Sequence, residues 1–73
     1  MTTIIEDRFP NGAQLSMAMH KEAGELFVFY CPAGQGCKVR RWPLDSYHMP
    51  IAVRHYEDCL ALEREVSQLE TTS

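Results

Sequence analysis

The apolar residues of this chain change period. Up to about Trp42 they alternate with a period of two; from Pro50 onward they recur at spacings of three and four. Alternation belongs to half-buried strands and the longer repeat to an amphipathic helix. Strands first and one helix last predicts an α+β fold: a small antiparallel β-meander of three to four strands, then one long C-terminal α-helix packed on the sheet. The expected boundaries are strands over about 2–8, 13–20, 25–31 and 37–42 and a helix over about 50–69, in a single domain spanning residues 1–73.

Local signals support each boundary. Phe9-Pro10-Asn11-Gly12 is a turn sequence, because proline presets the first dihedral and Asn-Gly tolerates the positive φ that follows. In the segment before it, strict alternation puts Thr3, Ile5 and Asp7 on one side and Ile4 and Glu6 on the other. Ala13, Leu15, Met17 and Met19 share one face of the next strand. Leu26-Phe27-Val28-Phe29-Tyr30-Cys31 is apolar on both faces, the mark of a central strand. Pro43 is expected to end the fourth strand, since proline donates nothing to a ladder. Asp45 and Ser46 are candidate caps, and Pro50 suits a first helical position.

Size limits what such a fold achieves alone. A chain of 73 residues buries only about 60% of its unfolded surface. A core of that size rarely supplies more than about 3–5 kcal/mol, so a staple or a partner is expected. The expected helix, roughly 30 Å long, outruns strands of roughly 23 Å. Its stripe of Ala52, Tyr56, Cys59, Leu62, Val66 and Leu69 therefore extends past intrachain cover. An apolar stripe that outruns its own core predicts a contact, and we expect a homodimer through the helix ends or a sheet edge.

Charge is unevenly placed on a chain of net charge −3. Lys38, Arg40, Arg41 and Arg54 cluster with Asp45 as the single acid among them; Glu57, Asp58, Glu63, Glu65 and Glu70 follow with only Arg64. Two surfaces result: a basic strand with Lys38, Arg40, Arg41 and Trp42, and an acidic helix face with Glu57, Glu63 and Glu65 flanking Leu62, Val66 and Leu69. Aromatic and basic residues on adjacent strands are the materials of a single-strand nucleic-acid platform. The acidic total weighs against it, because such binding depends on phosphate neutralisation. No apolar run approaches the ~20 residues of a membrane span, and the opening residues lack the basic region of a secretion signal. An odd number of cysteines fits reduced thiols better than a disulfide framework, so cytoplasmic residence is expected.

The sharpest chemical constellation is Cys31 and Cys37 across a loop, followed by His55 and Cys59 one helical turn apart. Two loop thiols with two helix ligands is the donor logic of a ββα zinc site, and zinc would staple a small core. The five residues between the first pair exceed the two to four of the usual zinc spacing. Metal-free cysteines are therefore the expectation, with a zinc-stapled module contacting nucleic acid or protein as the alternative. The loop Ala33-Gly34-Gln35-Gly36 lacks the lysine and following helix of a phosphate cradle. A Cys59/His55 pair without a cleft or oxyanion hole makes a poor nucleophile. A non-enzymatic protein is expected.

In size, acidity and lack of a catalytic kit, the chain resembles in type the small stand-alone modulators exemplified by phage-encoded anti-defence (anti-CRISPR-like) inhibitors and antitoxins. That likeness rests on no motif. It implies a mode of action: occluding or adapting a surface on a larger protein partner.

Overall fold

A computed structural model has the anticipated order: β1 (Thr2–Arg8), β2 (Gln14–His20), β3 (Glu25–Cys31), β4 (Lys38–Pro43) and α1 (His48–Thr72). It describes residues 1–72, with side chains for all of them except 67 and 69–72. The strands form one sheet in the order β1-β2-β3-β4, with every neighbouring pair antiparallel. The helix lies across one face, chiefly over β3 and β2 and less over β4. The α+β meander read from the sequence is the observed fold.

The turns are tight for stated reasons. Gly12 takes φ 94°, and its N–H donates to the Phe9 carbonyl at 3.0 Å while Phe9 N–H donates to Ala13 O at 3.0 Å. A β-carbon at that φ would be strained, so glycine holds the β1–β2 hairpin closed. Asn11 in the same turn accepts the Ala13 N–H at 3.0 Å on its Oδ1.

Leu15, Met17, Val28, Tyr30, Tyr56 and Cys59 form the core between sheet and helix, with Phe9, Trp42 and Leu60 packed against it. On the sheet these core residues share one phase. In the registers Leu15↔Tyr30 and Met17↔Val28, each apolar residue stands opposite another on the helix side. Phe27 and Phe29 occupy the other phase, on the open face, with their rings stacked 5.8 Å apart.

One face assignment and one boundary are corrected. The β1 register slips between Thr3 and Ile5, so that Thr3 pairs with Ala18 but Ile5 with Met17. That bulge puts Thr3 and Ile5, which strict alternation would group, in opposite phases. The helix begins before Pro50 because Asp45 caps it: Asp45 Oδ1 accepts the His48 N–H at 2.7 Å and its carbonyl accepts the Met49 N–H at 3.0 Å. Pro50 then falls inside the first turn, where its missing N–H leaves only a cap-segment carbonyl without a donor.

The helix is 25 residues long, about 37 Å at 1.5 Å per residue, and it outruns the strands as anticipated. Its buried line is Ala52, Tyr56, Cys59 and Glu63. Spacings of four, three and four keep these residues on one face. Leu62, assigned to that stripe by its hydropathy, is 52% exposed.

Candidate functional site at an open sheet edge

A four-stranded open sheet has two edges, and here they differ. β1 carries the bulge, its Arg8 Nε donates to Glu6 Oε1 at 2.6 Å within the strand, and Asp7 accepts a hydrogen bond from the Tyr56 hydroxyl. Bulges and internally paired charges blunt an edge against further pairing. β4 has an unbroken register against β3 from Lys38↔Tyr30 to Pro43↔Glu25. Its outer rim lies open.

Which backbone groups face outward follows from one bond. Leu44 N–H donates to Gly24 O at 2.8 Å, directly beyond the Glu25↔Pro43 pair. Antiparallel ladders alternate bonded and non-bonded pairs. Trp42, Arg40 and Lys38 therefore bond inward to β3, while the N–H and C=O of Val39 and Arg41 point away from the sheet. Pro43 sits in the outward phase, where its missing N–H deprives no ladder bond; this is how proline becomes the last residue of β4 instead of stopping the strand before it.

Side chains along β4 alternate in the same way. Lys38, Arg40 and Trp42 lie on the helix side, and Val39 and Arg41 on the open side. Trp42 is anchored, half-buried against the core and 5.4 Å from the His55 ring. The Arg40 guanidinium carbon lies 5.7 Å from the Trp42 ring centroid, which holds that cation at the rim. On the other side Arg41 Nη1 is 3.8 Å from Glu25 Oε1, an exposed pair that leaves most of the guanidinium in solvent. Val39 is 53% exposed. The four basic-strand residues singled out from sequence thus lie together on one rim.

The acidic surface is corrected. Glu57 and Glu65 are exposed, but Glu63 is 1% exposed. Glu63 Oε1 accepts the Tyr30 hydroxyl at 2.9 Å and Oε2 accepts Asn11 Nδ2 at 3.0 Å. Six residues along a helix is 600°, so Glu57 and Glu63 never shared a face. Glu63 serves the interior, tying α1 to β3 and to the first turn. Burial first, and then the Glu63 hydrogen bond, push the Tyr30 phenol up to about 12. Sequence reading missed Tyr30 and Asn11; the signal was the arithmetic 52, 56, 59, 63, which places an acid on the buried line. Leu62 and Val66 are exposed on the overhanging helix. The side chains of Leu69 and Glu70 lie outside the described residues.

The proposed metal ligands separate into two pairs. Cys31 and Cys37 are joined in a disulfide across the β3–β4 loop, opposite one another in the continued register. This corrects the expectation of reduced thiols: their Cα atoms lie 4.0 Å apart, and a bonded sulfur pair offers no thiolate to zinc. It also removes the thiol argument for cytoplasmic residence. His55 and Cys59 do meet, with Nε2 3.6 Å from Sγ. Burial lowers the His55 pKa, with nearby Arg40 adding to the effect, and burial raises that of Cys59. Both shifts favour the neutral forms, an imidazole beside a thiol. Among the described residues no group of three His, Cys, Asp or Glu is placed to hold a metal ion, and no helix is long and apolar enough to cross a membrane.

Concavities are small. One of about 200 Å³ lies under the helix overhang among Tyr30, Ala33, Lys38, Leu62, Glu63 and Val66. Another of about 270 Å³ lies at the far end of β4, by Gly24, Glu25, Arg41 and Trp42. The chain matches no protein-family model, no curated protein and no solved structure.

Proposed function

We propose that the chain is a non-enzymatic protein-binding module that occludes or adapts a surface of a larger protein partner through the rim of β4. The observation that carries this reading is the difference between the two sheet edges. β1 is bulged and internally paired, whereas β4 is regular and presents Lys38, Arg40, Arg41 and the exposed Val39 to solvent. Small-molecule sites occupy roughly 300–1,000 Å³, above the volumes of both concavities described, which favours a macromolecular contact over a substrate pocket. Self-association through β4 would set these cations against one another and is disfavoured. A second copy would meet this chain through Leu62 and Val66 on the helix overhang instead.

The test is charge reversal on one surface at a time, with cross-linking of the tagged protein in lysate of its native host. Arg40→Glu with Arg41→Glu should lose the cross-linked partner while circular dichroism stays unchanged and melting falls only slightly, as the exposed Arg41–Glu25 pair and the Arg40–Trp42 contact are lost. Glu57→Lys with Glu65→Lys should keep it. A partner retained by the first variant and lost by the second would move the contact to the helix.

A further inference from the structure

The geometry points to a particular kind of partner segment: an acidic, extended strand that pairs with β4 and enlarges the sheet from four strands to five. This rests on the protein-binding reading above and specifies its chemistry. The backbone supplies the docking groups. Val39 and Arg41 each turn an N–H and a C=O outward, so a partner strand finds a ladder already spaced for it; the ladder ends before Pro43, whose carbonyl accepts the Asp45 N–H at 3.1 Å.

The side chains supply the selection. Read along the rim, Lys38 and Arg40 project to the helix side with Val39 and Arg41 on the open side. A strand in register meets a cation, an apolar group, a cation and a cation. Its complement is an acid opposite Arg41, an acid opposite Arg40, an apolar residue opposite Val39 and an acid opposite Lys38. An antiparallel partner then reads Glu-Glu-Val-Glu or its aspartate equivalents. Basic residues on an edge ordinarily discourage pairing. Here they discourage pairing with a second copy or any basic strand, and leave the acidic strand as the one whose charges attract. Phosphate of a single-stranded nucleic acid would also meet the cations. It can accept from the outward N–H groups of Val39 and Arg41 but has no donor for their outward C=O groups, which a peptide strand satisfies in full.

The probe is a capped peptide, Thr-Glu-Glu-Val-Glu-Thr, titrated into the isotopically labelled full chain, with its lysine counterpart as control. The expected result is a shift and slowed hydrogen exchange at the Val39 and Arg41 amides, weakened by salt, with no response to the lysine peptide. Val39→Pro should fold, because position 39 shares the outward phase that Pro43 already fills, and should weaken the peptide roughly tenfold. Arg40→Glu with Arg41→Glu, which leaves every ladder bond in place, should weaken it by more than about tenfold. Three results would overturn the inference: no response at Val39 and Arg41, an equal response to the lysine peptide, or a stronger response at the same amides to oligothymidylate. If the peptide fails while charge reversal still removes the host partner, strand addition is wrong and protein binding through β4 stands. If charge reversal leaves the host partner in place, the protein-binding reading of β4 fails first.

Discussion

At Glu63 a carboxylate is closed off from water between a helix, a strand and a turn, and both of its oxygens accept hydrogen bonds. A hydrogen bond to a charged group contributes about 1.5–3 kcal/mol, and removing the acceptor strands buried donors. Glu63→Ala should therefore destabilise the protein by about 3 kcal/mol, and Tyr30→Phe by about 1.5 kcal/mol. In urea melts the double variant should lose less than the sum of the two, since they share one contact. Additive losses would mean that the Tyr30–Glu63 bond contributes nothing in solution. The same contact sets an alkaline limit. The folded-state Tyr30 phenol is raised from 10.0 to about 12, so its neutral form is favoured by folding. Its contribution is whole below pH 10 and is lost between pH 10 and 12, because the unfolded phenol ionises first. Burial, and then the bond to Asp7, raise Tyr56 as well. Melting temperature followed from pH 9 to 12 should fall in the native chain and fall less steeply in Tyr30→Phe; identical slopes would contradict the assignment.

Among the elements, the β3–β4 hairpin matters most, because the proposed binding strand is its second arm. The Cys31–Cys37 bond closes a loop of seven residues counted inclusively. Loop-closure entropy assigns about 2 kcal/mol to a cross-link of that span, or roughly 10 °C of melting temperature in a domain this size. Cys31→Ser with Cys37→Ser, or reduction by dithiothreitol, should lower the melting point by that order. The inward-bonded Lys38 amide should then exchange faster than that of Arg40, nearer the hairpin's middle. An unchanged melt would show that the ladder alone holds β4. Element order was legible in the sequence because a change from period two to period three-to-four needs no tertiary information. The β1 bulge was not, since nothing in Ile4-Ile5 says which of two isoleucines is the extra one. The helix start moved because the Asp45 cap outweighed the preference of Pro50 for a first position. Glu63 was misplaced because hydropathy favoured its neighbour Leu62, whereas spacing from Ala52, Tyr56 and Cys59 favoured Glu63. The outward phase of β4 depends on which cross-strand pairs are bonded, which only the three-dimensional register reveals.

For the molecule as a whole, the sheet edges and the helix divide the surface by charge: a cationic rim on β4, with Glu57 and Glu65 exposed on α1. That division lets a chain of net charge −3 attract an acidic strand at short range while staying apart from its own copies along β4. Attraction of this kind is screened over about 8 Å at physiological ionic strength. Salt should therefore weaken partner binding chiefly through slower association, with a smaller effect on dissociation. A partner held mainly by Leu62 and Val66 would show little dependence on salt. The most direct measurement is site-specific photo-cross-linking in native-host lysate, with a benzophenone side chain introduced in turn at Val39 on the β4 rim, Ile4 on the β1 rim and Leu62 on the helix overhang. The account predicts one discrete cross-linked larger partner from position 39 and none from positions 4 and 62, a second copy of the chain being the one product compatible with it at position 62. A larger partner captured from position 62 or 4, with none from 39, would contradict it.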